Sequence, residues 1–402
     1  MEPVDYSTYS LSELNEARKQ LDDTVHPEHA EVLDAWIAYR QAPAQPAPSS
    51  TEPEQPRRAA VRFHGDGQEF FGIWIVNLLL SIVTLGIYSA WAKVRTNRYF
   101  YGNLEADGHR FSYLAEPMQI LKGRIIGLVL FGSYMLASYL SPFVAAIIML
   151  LLFALMPVMI CLSLRFNARM TAYRNVRFGF QGGFGRAYAL FMLYPILSIF
   201  TLYLTMPIVL KKMDEYIYGN MRFGDRQFQT NLRTGEYYVA AIGASIIGAI
   251  MAVIIMVPAG ILIAVLAGSG SLQEPEGPAA TVFLILTMLM YVLVITVASC
   301  YYQSHIRNHL YNNSHIEKVV KLESALGFWA LTKLRLVNLL MLVGSLGLAY
   351  PWVKVRTAAL FAEATHLQLF AEADQVVAEN SADPNAIAEE VSEIFDMDIG
   401  LT

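Results

Sequence analysis

The sequence predicts an all-α polytopic membrane protein with internal repeats and small cytoplasmic β elements. Three observations support this fold class: an apolar composition, four long stretches without charge, and a repeated segment. Of the 402 residues, 55% are hydrophobic and 16% are charged, and the mean hydropathy is +0.39. An ordinary soluble domain carries about 25% charged residues. The composition therefore favours a chain that places most of its length in a membrane.

Four stretches contain no Asp, Glu, Lys or Arg, and we call them the plain spans. They cover residues 125–140, 142–164, 238–268 and 279–300. About 20 apolar residues cross a hydrocarbon core of about 30 Å. Bases collect at the outer ends of the first two spans and of the last two, and such bases mark the cytoplasmic side. We expect four plain transmembrane helices that form two hairpins with cytoplasmic feet.

The third observation is a cassette that covers residues 63–111. A shift of 117 positions aligns it without a gap to residues 180–228, and a shift of 261 aligns its centre to residues 336–361. The second shift gives eleven identities over the twenty-four positions from Asn77 to Phe100. Recurrence at a fixed shift indicates a duplicated structural unit.

Each cassette has bases on both sides of its apolar part. If each cassette crossed once, loops 93–124 and 165–186 would face outward with six and five bases, although cytoplasmic loops normally hold that excess. We therefore favour three re-entrant or broken-helix cassettes over the alternative of seven simple spans. The residues expected at the break, or lining a functional site beside it, are Asn77, Thr84, Gly86, Tyr88, Thr201, Asn338, Ser345 and Gly347.

Basic and aromatic residues follow each apolar part and lead into a Tyr-x-Asn stop in the first two cassettes. Tyrosine and basic side chains suit the headgroup layer, and Gly and Asn tolerate the backbone of a helix end. We interpret these residues as interfacial anchors, with ligand binding as the alternative. The short alternating segments that follow predict strands of small cytoplasmic sheets. The interfacial stops are Lys93, Arg95, Arg98, Tyr101, Asn103, Tyr218, Asn220, Lys354 and Arg356.

No catalytic constellation is found in the sequence. His305 and His309 lie four residues apart and would share a helix face, which is a spacing that can bind a metal. Glu317 is the only carboxylate within ten residues of them, and the nearby Cys300 lies at the end of a plain span, so they are weak metal candidates. We predict no catalytic residues, no cofactor and no enzymatic activity.

The ends of the chain differ in charge from the centre. Residues 57–356 carry twenty-six bases and thirteen acids, whereas both flanking segments are acidic. We expect a cytoplasmic helical hairpin at 1–42, a Pro-rich linker at 43–59, a membrane domain at 60–370 and an acidic cytoplasmic tail at 371–402. Expected partners are membrane lipids and a protein bound through residues 1–42 or the tail. Nucleic acid is not expected, and the oligomeric state is left open.

The string FHGDGQEFFGIWIVNLLLSIVTLGIYSAWAKVRTNRYFYGN resembles the YjgN family of bacterial inner-membrane proteins. The resemblance covers about residues 60–370, and the third cassette departs from it by losing the Tyr-Gly-Asn stop. It implies a multi-pass protein of the inner membrane but no activity. Two functions remain open: a transporter, channel or binder for a small molecule or lipid, or a non-catalytic scaffold or regulator of another membrane protein or enzyme.

Overall fold

The computed structural model describes residues 16–19, 21, 34, 37, 56–268 and 278–376. The chain divides into two units, Met1–Gln55 and Pro56–Thr402. In the first unit residues 16–19 are helical, and Arg18 donates a hydrogen bond to Asp34 at 2.8 Å. Most of the predicted 1–42 hairpin, of the linker and of the acidic tail lies outside the described residues.

In the second unit, short strands form one antiparallel sheet of eleven strands. The expected fold class, all-α with small cytoplasmic β elements, is therefore wrong. Each strand is only two to seven residues long, and β1 pairs with β11 across more than 300 residues of sequence, so local patterns miss the sheet. The strands are β1 (Arg57–Phe63), β2 (Leu104–Ala106), β3 (His109–Tyr113), β4 (Thr171–Tyr173), β5 (Val176–Phe180), β6 (Met221–Phe223), β7 (Arg226–Gln227), β8 (Gln229–Thr230), β9 (Ser314–Ile316), β10 (Val320–Ser324) and β11 (Thr365–Leu369).

The sheet is a nearly closed barrel. Its strand order is β7-β6-β5-β4-β3-β2-β1-β11-β10-β9-β8. The two end strands, β7 and β8, are separated only by Phe228, so they are two parts of one strand. The first part pairs with β6 and the second part pairs with β9. The chain itself therefore joins the two ends of the sheet.

Apolar side chains fill the interior of the barrel. Successive side chains of a strand point to opposite faces, and in β1 Ala59 and Val61 are buried while Ala60 and Arg62 are exposed. After β11, a short helical turn at Ala371–Gln375 packs Ala373 and Val376 against the same core. The core contains Val61, Ala106, Phe111, Tyr173, Phe178, Phe223, Phe228, Leu322, Leu367 and Leu369.

Helices connect the strands in five pairs within residues 56–268 and 278–376. Three are short pairs, one per cassette, and two are long pairs. The helix of residues 184–200 contains a π-helical turn at Ala189–Leu193. The short pairs are α1 (Gly67–Val83) with α2 (Ser89–Gly102), α5 (Phe184–Phe200) with α6 (Met206–Gly219), and α9 (Phe328–Gly344) with α10 (Tyr350–Glu363); the long pairs are α3 (Pro117–Leu140) with α4 (Pro142–Arg169), and α7 (Thr234–Gly268) with α8 (Pro278–Asn312).

All five helix pairs are attached to the same rim of the barrel. Neighbouring strands run in opposite directions, and consecutive strands are joined alternately by a helix pair and by a tight turn. The helix pairs therefore lie at one rim and the tight turns at the other. Every short pair thus starts and finishes at the barrel rim, with its turn at the far end.

The helix pairs also contact one another in a closed succession. Each pair packs on the next along the chain, and α10 of the last pair packs on α1 of the first. At that junction the Trp352 ring lies 5.1 Å from the Phe71 ring, and the Tyr350 ring lies 6.0 Å from the Trp74 ring. The first and third cassettes are therefore direct neighbours.

Four helices in the described residues are long and apolar enough to cross a membrane: Pro117–Leu140, Pro142–Arg169, Thr234–Ile255 and Thr287–Asn312. They belong to the two long pairs. The helices of the short pairs have 14 to 17 residues, or about 21 to 26 Å at 1.5 Å per residue. The helices of the short pairs are thus clearly shorter than those of the long pairs.

Candidate functional site

Each short pair turns at a helix end with two successive residues in the left-handed conformation. In each case the amide of the second residue donates to the carbonyl five positions earlier, at 2.7 to 2.8 Å. This hydrogen bond is that of the Schellman helix stop. We call the three turns the tips; their residues and φ angles are Leu85 (51°) and Gly86 (91°), Leu202 (51°) and Tyr203 (62°), and Leu346 (51°) and Gly347 (88°).

The predicted break residues Thr84, Thr201 and Ser345 directly precede the tips. Each hydroxyl oxygen accepts a hydrogen bond from the amide four positions later: the distance is 2.9 Å for Thr84, 3.4 Å for Thr201 and 2.8 Å for Ser345. The second helix of each pair begins just after these amides. The hydroxyls therefore accept hydrogen bonds from backbone N–H groups that have no partner within the helix at its start. The geometry gives these three residues a role in shaping the turn.

The leucines at the tips are almost fully exposed in the isolated chain. Leu85 is 94% exposed, Leu202 is 84% exposed and Leu346 is 93% exposed. Left-handed backbone costs a non-glycine residue roughly 1–2 kcal/mol. A leucine that is almost fully exposed makes few contacts within the chain to offset this cost. The environment outside the chain is therefore the place to look for contacts that stabilise the tips.

One exposed base follows each tip leucine at the same distance. Arg95, Lys212 and Arg356 lie ten residues after Leu85, Leu202 and Leu346, and all three are exposed. In each case the last seven of these ten residues are helical, and seven residues of helix span about 10 Å. We call these three residues the interfacial bases. Each short pair thus has an apolar end and a positive charge about 10 Å of helix behind its turn.

Other predicted interfacial residues are held by neighbouring groups. The Lys354 ammonium lies 5.8 Å from the ring centres of both Phe100 and Tyr350. Arg98 donates to the Ala115 carbonyl at 3.1 Å, and Lys93 is half-buried. Two of the interfacial bases make similar contacts although they are exposed: the Lys212 ammonium lies 5.1 Å from the Tyr194 ring centre, and Arg356 donates to the Met341 sulfur at 2.9 Å.

Asn77 and Asn338 are buried inside their helix pairs, at 4% and 5% exposure. The Asn77 amide nitrogen lies 3.4 Å from the Ala92 carbonyl oxygen, and the Asn338 amide nitrogen lies 3.3 Å from the Thr357 hydroxyl. Both side chains bridge the two helices of one pair. Tyr88 stacks on Trp91 with ring centres 6.2 Å apart. The structure therefore does not gather the predicted lining residues around one cavity.

The predicted stop residues end helices. The side-chain amide of Asn103 donates to the Tyr99 carbonyl at 3.0 Å, and that of Asn220 donates to the Tyr216 carbonyl at 2.7 Å. Tyr101 stacks on Tyr113 with ring centres 5.5 Å apart, and Tyr218 packs against two buried clusters. These contacts join the helix pairs to the barrel rim.

His305 and His309 are engaged by other groups. The His305 Nε2 atom lies 2.9 Å from a Glu236 carboxylate oxygen. The His309 Nε2 atom accepts a hydrogen bond from the Arg233 amide at 2.9 Å. No group of three or more His, Cys, Asp or Glu side chains suited to a metal occurs among the described residues.

Sequence reasoning missed two features of this region. Leu85 and Leu346 fall inside the expected breaks, but the leucines were not identified as exposed residues, although leucine occupies the same position in all three aligned cassettes. Asp214 was also missed, because neither of the two adjacent acids in the segment KKMDEYIYGN gives a local sign of burial. The leucine identity was the available signal, and nothing comparable marks Asp214.

Four apolar helices of membrane-crossing length, together with short pairs that end in exposed leucines, define an integral membrane protein. The chain belongs to the YjgN family: the family model described as bacterial proteins of unknown function, DUF898, matches residues 58–394. Three curated relatives are named inner membrane protein YjgN. The inner membrane is accordingly the location that this family membership assigns.

The relatives come from Escherichia coli and Salmonella typhimurium. Proteins of E. coli K12 and O157:H7 are 39% and 38% identical over 120 residues, which is 30% of this chain and 30% of each relative. The match thus spans about a third of the length of these two relatives. The S. typhimurium protein is 25% identical over 76% of this chain and 87% of its own length. No solved structure matches.

Proposed function

We propose that the protein is a multi-pass inner-membrane protein with internally repeated helix pairs that binds anionic phospholipid in the leaflet beside its barrel. In this proposal the long pairs cross the bilayer, and the short pairs reach only into the near leaflet. The observation that carries it is the threefold spacing of ten residues between an exposed tip leucine and an exposed base.

The tips have the chemistry of a lipid-inserted segment. Exposed apolar residues surround the leucines, including Val83 at 78% and Phe200 at 83% exposure. Large contiguous apolar surfaces on a soluble protein mark interaction sites. In a chain with membrane-spanning helices, the hydrocarbon core is the simplest environment that covers all three tips together.

The depth of insertion follows from the position of the bases. A hydrocarbon core of about 30 Å has leaflets of about 15 Å, and about 10 Å of helix separates each interfacial base from the turn that carries the tip leucine. With the base in the headgroup layer, the tip leucine therefore lies deep in the near leaflet. The amides of each tip are hydrogen-bonded within the turn, as the apolar core requires.

Charge favours a cytoplasmic barrel and an anionic ligand. Bases outnumber acids twenty-six to thirteen over residues 57–356, and cytoplasmic segments carry such an excess. The chain enters β1 and leaves β11 at the same rim, so this orientation also puts both flanking segments in the cytoplasm. Lys and Arg near the surface attract anionic lipids by about 1 kcal/mol each, and a guanidinium pairs well with phosphate. That the protein transports a solute, forms a channel, or acts as a non-catalytic scaffold or regulator stays a prediction.

Lipid retention tests the proposal. The full chain is reconstituted in vesicles of phosphatidylglycerol and phosphatidylcholine, extracted in mild detergent, and weighed intact by native mass spectrometry. We expect several-fold preferential retention of phosphatidylglycerol. The triple variant Arg95→Gln, Lys212→Gln, Arg356→Gln removes the interfacial bases and is expected to abolish the preference.

A charge-matched control uses three exposed bases on the strands. Arg62→Gln, Arg177→Gln and Lys321→Gln remove the same charge and should leave the preference intact. Equal lipid retention in both triple variants, or no preference in the wild type, would overturn the proposal.

A further inference from the structure

A half-buried carboxylate joins the second short pair to the second long pair. Asp214 lies on α6, and the Tyr237 hydroxyl of α7 donates to it at 2.5 Å. Tyr237 is completely buried. Tyr302 of α8 also lies close enough to interact electrostatically with Asp214. The carboxylate thus faces both helices of the long pair from the short pair.

The groups around Asp214 supply little positive charge. Lys211, one turn earlier on α6, pairs with Glu215 at 3.1 Å. In the described part of the chain Asp214 itself has no ion pair. Strand β8, which packs on α6, offers only Gln229 and Thr230. The ionisable groups near this junction are Lys211, Lys212, Glu215, Tyr216 and Tyr218 of α6; Tyr194 and Arg186 of α5; Arg233, Glu236 and Tyr237 at the start of α7; and Tyr302, His305, Arg307, His309 and Tyr311 of α8.

Burial penalises the ionised form of this carboxylate. It raises the pKa of Asp214 from 3.8 to about 6, with the Tyr237 hydrogen bond acting in the opposite direction and the charge of Glu215 adding to the rise. A desolvated acid without a basic partner is expected to behave in this way.

We propose that Asp214 and the Tyr237 hydroxyl form a proton-binding site at the junction of the second short pair and the second long pair, and that loss of the proton loosens this junction. The physical reason is that a charge between packed helices must be solvated, and among the described groups one tyrosine hydroxyl donates to this carboxylate. Asp214 is half-buried, so fuller hydration of its ionised form requires α6 to move away from α7 and α8. The proposal is independent of phospholipid binding.

The pH dependence has a definite sign. The folded protein holds the Asp214 proton more tightly than the unfolded chain does, so this group contributes stability that is fully present below about pH 3.8. That contribution is lost as pH rises through about 6. The junction should therefore be tighter in mild acid than at neutral pH.

Thermal unfolding of the full chain in lipid nanodiscs between pH 4 and pH 8 tests the proposal. We expect the wild-type Tm to fall as pH rises through about 6. Asp214→Asn should remove this component and exceed the wild-type Tm at neutral pH. Tyr237→Phe should move the midpoint upward, because the ionised form loses its donor. Glu215→Gln should retain the fall with a slightly lower midpoint.

Infrared difference spectra supply a second readout that does not depend on stability. A protonated carboxyl band that disappears with a midpoint near 6, and that is missing in Asp214→Asn but present in Glu215→Gln, is the expected result. The proposal fails if that band is unchanged in Asp214→Asn, or if wild type and Asp214→Asn show the same dependence of Tm on pH.

Discussion

Leucine is an unfavourable residue for a left-handed turn, yet each of the three tips contains one. Glycine follows it at Gly86 and Gly347, with φ near 90°, a conformation that an L side chain rarely adopts. The second cassette has Tyr203 at the equivalent position, at φ 62°. At the scale of single residues, two of the tips thus combine a glycine that favours the turn with a leucine, and all three contain a leucine that the turn alone does not explain.

Exchanging the residues that follow the leucines should shift stability in opposite directions. Tyr203→Gly removes a side chain from a left-handed position and should raise the free energy of unfolding by about 1 kcal/mol, whereas Gly86→Ala should lower it by a similar amount. Space is not limiting, because nothing lies within 4 Å of a Cβ added at Gly86. Thermal unfolding in detergent measures both changes. If both variants are as stable as the wild type, the result would contradict the left-handed conformation of Tyr203 and Gly86.

Substitution of a tip leucine by asparagine, as in Leu85→Asn, distinguishes an effect on folding from an effect on contact with lipid. Asparagine tolerates left-handed backbone better than leucine does, so the variant should fold at least as well as the wild type. Its polar amide should, however, weaken contact with lipid, so phospholipid retention is expected to fall in the triple variant Leu85→Asn, Leu202→Asn, Leu346→Asn. Unchanged retention with unchanged Tm would argue against lipid contact at the tips.

At the scale of elements, the sequence identifies the long apolar helices well because their signal is local and extends over many residues. The strands are different. β7 and β8 have two residues each, and their pairing partners are set by the chain as a whole, so alternation in a segment such as KVVKLE predicts a strand without predicting the barrel. Asp214 shows the same limit, because its burial depends on helices α7 and α8 that follow it in sequence.

The contact between the first and third cassettes is an element-scale test with a matched control. A Cβ added at Gly67 would lie 2.4 Å from the Trp352 ring, whereas one at Gly72, on the same helix, would meet nothing within 4 Å. Gly67→Ala should therefore destabilise the protein by about 1–3 kcal/mol through overpacking. Gly72→Ala should be neutral or slightly stabilising. Thermal unfolding of both variants decides it, and equal Tm values would contradict the α1–α10 contact.

At the scale of the whole molecule, the barrel organises five helix pairs on one rim, so its integrity determines where every tip lies. Adjacent residues of β1 test its interior. Ala59 is buried and Ala60 is exposed. Ala59→Asp places a carboxylate in the apolar core and should cost several kcal/mol or prevent folding, while Ala60→Asp should be tolerated. Expression level and Tm distinguish them, and a tolerated Ala59→Asp would contradict a filled barrel.

The depth of the tips is the most direct test of the central claim that the short pairs reach deep into the near leaflet from the barrel side and do not cross the bilayer. In a Cys161→Ala, Cys300→Ala background, single cysteines at Leu85, Leu202, Leu346 and Ser141 carry a fluorophore in oriented vesicles. We predict that the three tip labels are quenched most by lipids with nitroxides at the chain ends. A thiol reagent added on the face opposite the barrel should modify only Ser141→Cys. Modification of the tip cysteines from that face would show that the short pairs cross the membrane, and would contradict the account.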